Sequence, residues 1–173
     1  MTSGSFFERR PRRSLFIDIL SGAAAGALGT VALNQVFKLA GKLQPKSGEQ
    51  PIEEPKESPT ETVARKALEP VGIRLEGDRK EKAGQVVHWS YGITWGALYG
   101  ALHRLLPQTG RLFGLGFGAG LFLFGDVLLL PTLRLNPPAH KLPLPANLSA
   151  IAAHLAYGSA AEGSYRLFRR ALV

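Results

Sequence analysis

The sequence contains no cysteine among its 173 residues. That absence excludes a disulfide framework, thiol catalysis, cysteine-ligated zinc and iron–sulfur clusters, and it leaves the redox compartment open. The motifs of phosphate loops, zinc metalloproteases and serine hydrolases (GK[ST], HExxH and GxSxG) are absent as well. The glycine run GLGFGAG at 114–120 lacks the glycine spacing and the following acidic residue of a dinucleotide fingerprint. We therefore expect no enzyme, no cofactor and no metal ion.

Acidic residues are also scarce, with 13 Asp and Glu against 21 Lys and Arg, which gives a net charge of +8. The mean hydropathy of +0.03 is that of an ordinary soluble domain, but the apolar residues are concentrated in four stretches, at about 15–37, 84–106, 112–133 and 148–168. Each stretch has the ~20 residues that a helix needs to cross a bilayer. The sequence therefore predicts an all-α protein, a single integral membrane domain over 1–173 built as a polytopic transmembrane bundle of about four helices.

Small residues recur at intervals of four within these stretches. Such patterns let helix backbones approach closely in lipid, whereas a glycine inside a helix in water costs ~1 kcal/mol relative to alanine. We expect packing within the monomer, with a homo-oligomer interface as the alternative. The predicted helix-packing residues are Gly92, Gly96, Gly100, Gly116, Gly120 and Gly158.

A polar segment, residues 38–83, separates the first two apolar stretches, and we expect it to be a solvent-exposed loop. Its first part, QPKSGEQPIEEPKESP, is proline-rich and predicts an extended linker. Ser58, Pro59 and Glu61 then have the spacing of a capping box with proline at the first helical position. Because Pro70 stops the helix, we expect a short amphipathic helix at about 59–68.

An ordered set of features runs through the second half of the chain. It consists of His88, Tyr99, Pro107, Pro131, Leu135-Asn136-Pro137-Pro138, Leu142-Pro143, Asn147, Ser149, Ile151, His154, Glu162 and Arg169-Arg170. This set, over about residues 88–170, resembles the YagU-like family of small bacterial inner-membrane proteins. No biochemical function is established for that family, so the resemblance implies a location and an architecture but no activity. We expect the long polar segment and its capped helix to lie outside the resemblance.

Basic residues flank the apolar stretches, with four arginines before the first and three at the C-terminal end of the last (Arg166, Arg169 and Arg170). Lys and Arg near span ends favour the cytoplasmic side, and four spans place both ends on one side, so we expect both termini in the cytoplasm. Arg12-Arg13 resembles a twin-arginine export signal, but no convincing A-x-A cleavage site follows and the helical pattern continues to Lys38, so we expect an uncleaved first helix. Basic flanks of this kind disfavour nucleic-acid binding, which needs one basic stripe.

Four ionisable residues inside the predicted spans form a candidate intramembrane polar site: His88, Asp126, His154 and Glu162. A charge at the centre of a spanning helix costs about 2.5–3.5 kcal/mol, so such residues face the bundle interior or water. His154 and Glu162 are eight residues apart, which separates them by ~12 Å along a helix. A partner must therefore come from another helix, and Asp126 is the expected carboxylate for a histidine.

Each of these residues also has a purely structural explanation. Glu162 lies four residues before Arg166, the spacing of an ion pair on a helix. His88 lies near the start of its span, where a histidine can sit at headgroup level. His154 and Asp126 can each form an ordinary hydrogen bond between or within helices.

The first hypothesis for function is a non-enzymatic membrane protein whose buried His, Asp and Glu move protons or a small solute, or sense pH. The alternative is a structural or assembly protein that packs against partner helices. Its partners, besides the lipid bilayer, are then a second copy or another membrane protein. A haem or metal site that uses His88 and His154 is less favoured, because no Glu-x-x-His spacing supports it.

Overall fold

A computed structural model describes residues 14–43, 57–105 and 112–171, and all regular structure in these ranges is helical. The predicted all-helical fold is therefore confirmed. The arginines before residue 14 and most of the proline-rich linker lie outside the described residues. The helices are α1 (Leu15–Leu43), α2 (Pro59–Leu68), α3 (Gly77–Leu105), α4 (Leu115–Phe122), a π-helical segment (Leu123–Leu129), α5 (Leu130–Thr132) and α6 (Leu144–Ala171).

Helix α1 packs along both α3 and α6. On the α3 side, Gly22 and Gly26 lie against Gly96 and Gly100, and a Cβ atom on Gly26 would come within 2.8 Å of the Gly96 Cα atom. Glycine at these positions lets the two backbones touch, which is the packing mode of small-xxx-small helix pairs. Further along α1, Gly92 of α3 faces the Thr30 hydroxyl.

Helices α4 and α6 meet through a second set of glycines. A Cβ atom on Gly158 would lie 2.9 Å from the Gly118 Cα atom, and Gly114 also faces Gly158. Gly116 and Gly120, which the sequence also marked as packing residues, are open: in the described part of the chain, no atom lies within 4 Å of where their Cβ would be. They lie two residues on from Gly114 and Gly118, and two residues turn a helix by about 200°, so they face away from α6.

Aromatic rings fill the space between α3 and the chain over 115–129, which comprises α4 and the π-helical segment. The centroids of Trp95 and Phe124 are 5.5 Å apart in an edge-to-face arrangement, and those of Tyr99 and Phe117 are 4.6 Å apart. Rings of this size keep α3 and α4 further apart than the glycines keep α1 and α3. The bundle therefore has close contacts around α1 and a wider, aromatic side opposite.

Two helical segments, Leu15–Leu43 and Leu112–Thr132, are long and apolar enough to cross a membrane. Large side chains of the second segment are open to the surroundings: Leu123 and Leu128 are each 59% exposed. An exposed apolar strip of this kind is costly in water and favourable in lipid, so it supports membrane association. Helices α3 and α6 are about as long as α1 but carry more polar residues than the two apolar segments do. The predicted four-span arrangement is therefore not established.

In the described parts of the polar segment, residues 38–43 and 57–83, the chain is more helical than the predicted loop. Helix α1 continues past residue 37 to Leu43, and α3 begins at Gly77, because good helix formers such as Lys and Glu allow both helices to extend beyond their apolar parts. Helix α2 packs on α3 and buries Ala64.

Helix α2 begins with a complete capping box. The Ser58 hydroxyl accepts a hydrogen bond from the Glu61 amide, and the Glu61 carboxylate accepts one from the Ser58 amide at 2.9 Å. Just before it, the Glu57 carboxylate pairs with Arg65 at 3.1 Å and reaches Lys80 of α3 at 4.0 Å. The Arg65 hydrogen bond lowers the pKa of Glu57, and the same carboxylate raises the pKa of Arg65.

Candidate functional site

Asp126 and His154 form a pair between the π-helical segment and α6. The Nε2 atom of His154 is 3.2 Å from Oδ2 of Asp126, and its Nδ1 atom is 2.9 Å from the carbonyl oxygen of Ala150. A carbonyl oxygen only accepts hydrogen bonds, so Nδ1 carries a proton and donates it to Ala150. Nε2 then either donates to an ionised Asp126 or accepts from a protonated one. In either arrangement, one proton between Nε2 and Oδ2 makes the hydrogen bond.

The pair is partly enclosed. The Asp126 side chain is 26% exposed and the His154 side chain 14%, and the Phe122 ring lies edge-on to the imidazole at 5.9 Å. The enclosing helices strengthen the electrostatic interaction between the two groups.

Asp126 lies in a π-helical segment, in which the Leu130 amide donates to the Gly125 carbonyl oxygen five residues earlier. Such segments are rare in proteins, and those that occur often lie at functional sites. Gly125 is buried and faces the Tyr91 hydroxyl, since a Cβ atom there would lie 3.3 Å from that oxygen. The segment therefore passes close to α3 at Gly125 and directs the next residue, Asp126, to α6.

His88 forms a separate contact. Its Nε2 atom is 3.0 Å from Oδ1 of Asn34, so the ring donates to an amide oxygen and joins α3 to α1. Asn34 was not among the predicted site residues. Its signal in the sequence is that of a polar residue near the end of an apolar stretch, which fits a helix end as well as a contact.

Glu162 is buried, at 1% exposure, and its carboxylate has two partners. The Tyr99 hydroxyl of α3 donates to Oε2, and Arg166, one turn further along α6, donates to Oε1. The ion pair that the sequence offered as the structural explanation of Glu162 is therefore present. Tyr99 adds a bond between helices, because it brings α3 to the same carboxylate.

Asp18 forms a matching unit that the sequence did not mark as a site. It is 1% exposed, it accepts a hydrogen bond from the Tyr165 hydroxyl at 3.0 Å, and Arg169 lies 3.4 Å from the same oxygen. Each unit thus consists of a carboxylate, a tyrosine and an arginine. We call the two units together the carboxylate cluster, with members Asp18, Tyr99, Glu162, Tyr165, Arg166 and Arg169. The signal for it was the spacing of Glu162, Tyr165, Arg166 and Arg169 along one face of α6.

The structure therefore divides the four predicted residues among three contacts. Asp126 and His154 meet, His88 binds Asn34, and Glu162 belongs to the carboxylate cluster. Between the levels of His154 and Glu162 on α6, the Tyr157 hydroxyl donates to the carbonyl oxygen of Gly92 at 2.6 Å. In the described ranges, no three His, Asp or Glu side chains are grouped as a metal ion would require.

Comparison with known proteins identifies a family. A family model described as "Protein of unknown function (DUF1440)" matches residues 43–162, more than half of the chain. This match confirms the resemblance to the YagU-like family. It also covers α2 and most of the segment before α3, so the expectation that this region lies outside the family was wrong. No curated protein and no solved structure matches the chain.

Proposed function

This chain belongs to the DUF1440 family, the YagU-like family of unknown function, and we propose that it is a multi-pass membrane protein that senses pH. The observation that supports the proposal is the contact of Asp126 with Nε2 of His154 at 3.2 Å, since Nδ1 of the ring is already engaged with Ala150. Histidine is the side chain whose charge ordinarily changes between about pH 5 and 8. A pair of this kind therefore converts a change in pH into a change of charge between two helices.

The stability of the pair depends on its proton count. With one proton, the imidazole and the carboxyl group attract each other in either arrangement of that proton. With none, the Nε2 lone pair faces a carboxylate, and the two groups repel. With two, a protonated Asp126 faces an imidazolium and no longer balances its charge. A protonated Asp126 can still accept a weaker hydrogen bond from Nε2 through its carbonyl oxygen. The singly protonated state therefore holds the π-helical segment to α6 most strongly.

In the proposed topology, α1, α3, the 112–132 segment and α6 each cross a bacterial inner membrane, and both termini are cytoplasmic. Helices α3 and α6 have 29 and 28 residues, which is ample for a span. Their ionisable residues fit this arrangement, because His88, His154 and Glu162 all have partners on neighbouring helices.

The geometry favours sensing over the movement of protons or solutes. A proton route through all four residues would have to connect His154 with Glu162, which lie ~12 Å apart along α6. The Tyr157 hydroxyl, between these levels, is bound to a backbone carbonyl oxygen. Glu162 is also engaged by both Tyr99 and Arg166. Its carboxylate therefore joins helices in this proposal.

The test is a pH titration of the protein in lipid nanodiscs, with carboxyl and imidazole vibrations followed by infrared difference spectroscopy. We expect a coupled carboxyl and imidazole signal in the wild type that is absent from both Asp126→Asn and His154→Gln. His140→Gln, at an exposed histidine, is the matched control and should keep the signal. A signal that survives in both pair variants would refute the proposal.

A structural or assembly role is the second candidate, and one observation favours it. The 112–132 segment packs mainly on α6 and leaves most of its apolar surface open, including Leu123, Val127 and Leu128. Such a surface can bind lipid or a partner helix. Chemical crosslinking in membranes before purification tests this role: a stoichiometric protein partner on this segment would favour it, and recovery of the chain alone would count against it.

A further inference from the structure

Each hydrogen-bonded loop of the π-helical segment Leu123–Leu129 contains one residue more than those of an α-helix. Its Leu130 amide bonds the carbonyl oxygen five residues back, at Gly125, whereas an α-helix uses the one four residues back. If the segment tightened to an α-helix, the chain after it would turn by about 100° relative to the chain before it. The segment is thus a place where a small change in hydrogen bonding produces a large rotation.

Asp126 is the one polar side chain of the segment, whose sequence is LFGDVLL. Its neighbours on the inner side make apolar or close-packing contacts: Phe124 with the Trp95 ring, and Gly125 with Tyr91. Leu123 and Leu128 are largely exposed. The contact with His154 is therefore the polar tether that fixes the segment to α6.

The C-terminal end of the segment accommodates both helical forms. Pro131 has no amide hydrogen, so one carbonyl oxygen in the preceding turn lacks a backbone donor whether the turn is α or π. The Thr132 hydroxyl donates to the Leu128 carbonyl oxygen at 2.6 Å, and the Leu133 amide bonds Leu129 in the α pattern. These two hydrogen bonds therefore stabilise an α-helical backbone within one turn after the π-helical segment.

We propose that the π-helical segment is the moving part of the pH sensor. While the Asp126–His154 pair holds its single proton, the segment stays in the π form. When the pair separates, the segment tightens to an α-helix and rotates α5 and the 133–143 connection. This inference rests on the proposed pH sensing and adds the conformational response to it. The titratable groups that face the pair are Tyr91 and His88 on α3. On α1, the neutral amide of Asn34 forms a hydrogen bond with His88.

The experiment is hydrogen–deuterium exchange of the full chain in nanodiscs of phosphatidylethanolamine and phosphatidylglycerol, read by mass spectrometry over residues 123–135. Rates are measured at a pH where the pair is singly protonated and at one where it is not, as located by the infrared titration, and are corrected for the intrinsic effect of pH. We expect protection of this segment to change by about tenfold or more between the two conditions. Protection of α1 should stay constant.

Two variants make the result specific. Asp126→Asn should remove the pH dependence of exchange, and His140→Gln should keep it. Deletion of Leu128 removes the additional residue and should give the protection of a continuous α-helix at both pH values, with α1 protection as evidence of folding. If the Asp126 carboxyl titrates while exchange over 123–135 does not change, the moving segment is refuted and pH sensing stands. If the carboxyl does not titrate, both proposals fail.

Discussion

The Tyr165 hydroxyl donates a hydrogen bond to the buried Asp18 carboxylate at 3.0 Å and thereby joins the last helix of the chain to the first, across 147 residues. Tyr99 makes the corresponding bond from α3 to Glu162. Because Asp18 and Glu162 are both buried, each carboxylate depends on its hydroxyl and guanidinium partners to offset the loss of water. The carboxylate cluster therefore ties α1, α3 and α6 together by polar contacts.

The first prediction is that Tyr165→Phe destabilises the fold. The ring stays in place, but the buried Asp18 carboxylate loses one donor, which costs about 1–3 kcal/mol. Thermal unfolding of the purified protein in detergent should show a lower midpoint. Lys66→Gln, at an exposed position on α2, is the control and should change stability by less than about 0.5 kcal/mol. Equal midpoints for wild type and Tyr165→Phe would mean that the bond contributes nothing to the fold.

The second prediction contrasts two glycines that share the same local sequence pattern. Gly96→Ala places a methyl group against the backbone of Gly26 and should cost about 1–3 kcal/mol through overpacking. Gly120→Ala adds the same group on an open face, where the higher helix propensity of alanine should make it neutral or stabilising by up to ~1 kcal/mol. Unfolding midpoints in one detergent measure both. A destabilised Gly120→Ala protein that remains monomeric would contradict this assignment of faces.

The third prediction concerns acid. Because the hydrogen bond from Arg65 holds the pKa of Glu57 below its unfolded value, the contact stabilises the docking of α2 at pH values above that unfolded pKa. The stabilisation is lost as the pH falls through the lower, folded pKa. Hydrogen exchange over residues 57–69 should therefore increase by about twofold in acid, a small effect because the pair is near the surface.

Glu57→Gln is the matched variant for this test. It should show the faster exchange already at neutral pH and no further acid-dependent change beyond the intrinsic one. Lys66→Gln alters an exposed charge on the same helix and should behave as the wild type. An acid response of equal size in Glu57→Gln would assign the effect to another group.

The sequence predicts what depends on neighbours along the chain. The start of α2 follows from Ser58, Pro59 and Glu61, because a capping box is completed within four residues. Apolar stretches likewise indicate where helices lie. The choice between Gly116 and Gly118 cannot be made this way, because both belong to ladders of identical spacing and only the position of α6 distinguishes them.

Contacts between residues far apart in the chain are the other part of the structure that the sequence does not predict. Asp18 is a single acid near the start of an apolar stretch, and nothing local indicates Tyr165 as its donor. The sequence around Asn34 likewise does not indicate its contact with His88, which is distant in the chain. The π-helical segment is also invisible, because seven residues of mostly apolar sequence have no periodicity that separates π from α geometry. Asp126 could be named as a histidine partner only because few carboxylates lie within the apolar stretches.

The last prediction concerns the number of membrane spans. Because the chain has no native cysteine, a single introduced cysteine is its one thiol and can be labelled directly. With a cytoplasmic N-terminus, four spans put the connection at 133–143 outside, whereas two spans, α1 and 112–132, leave it in the cytoplasm. A single cysteine at His140 should therefore react with a membrane-impermeant maleimide on intact cells if α3 and α6 cross the membrane. Both arrangements place Ser58→Cys outside and Arg170→Cys inside, so these two variants report the orientation.

We expect labelling of His140→Cys and Ser58→Cys on intact cells, and labelling of Arg170→Cys only after the membrane is opened. The unsubstituted chain, which has no thiol, gives the background. Protection of His140→Cys together with labelling of Ser58→Cys would show two spans and would leave α6 on the cytoplasmic side. The Asp126–His154 pair would then lie between a spanning segment and a helix outside the bilayer, and the topology on which the proposed pH sensing is built would have to be abandoned.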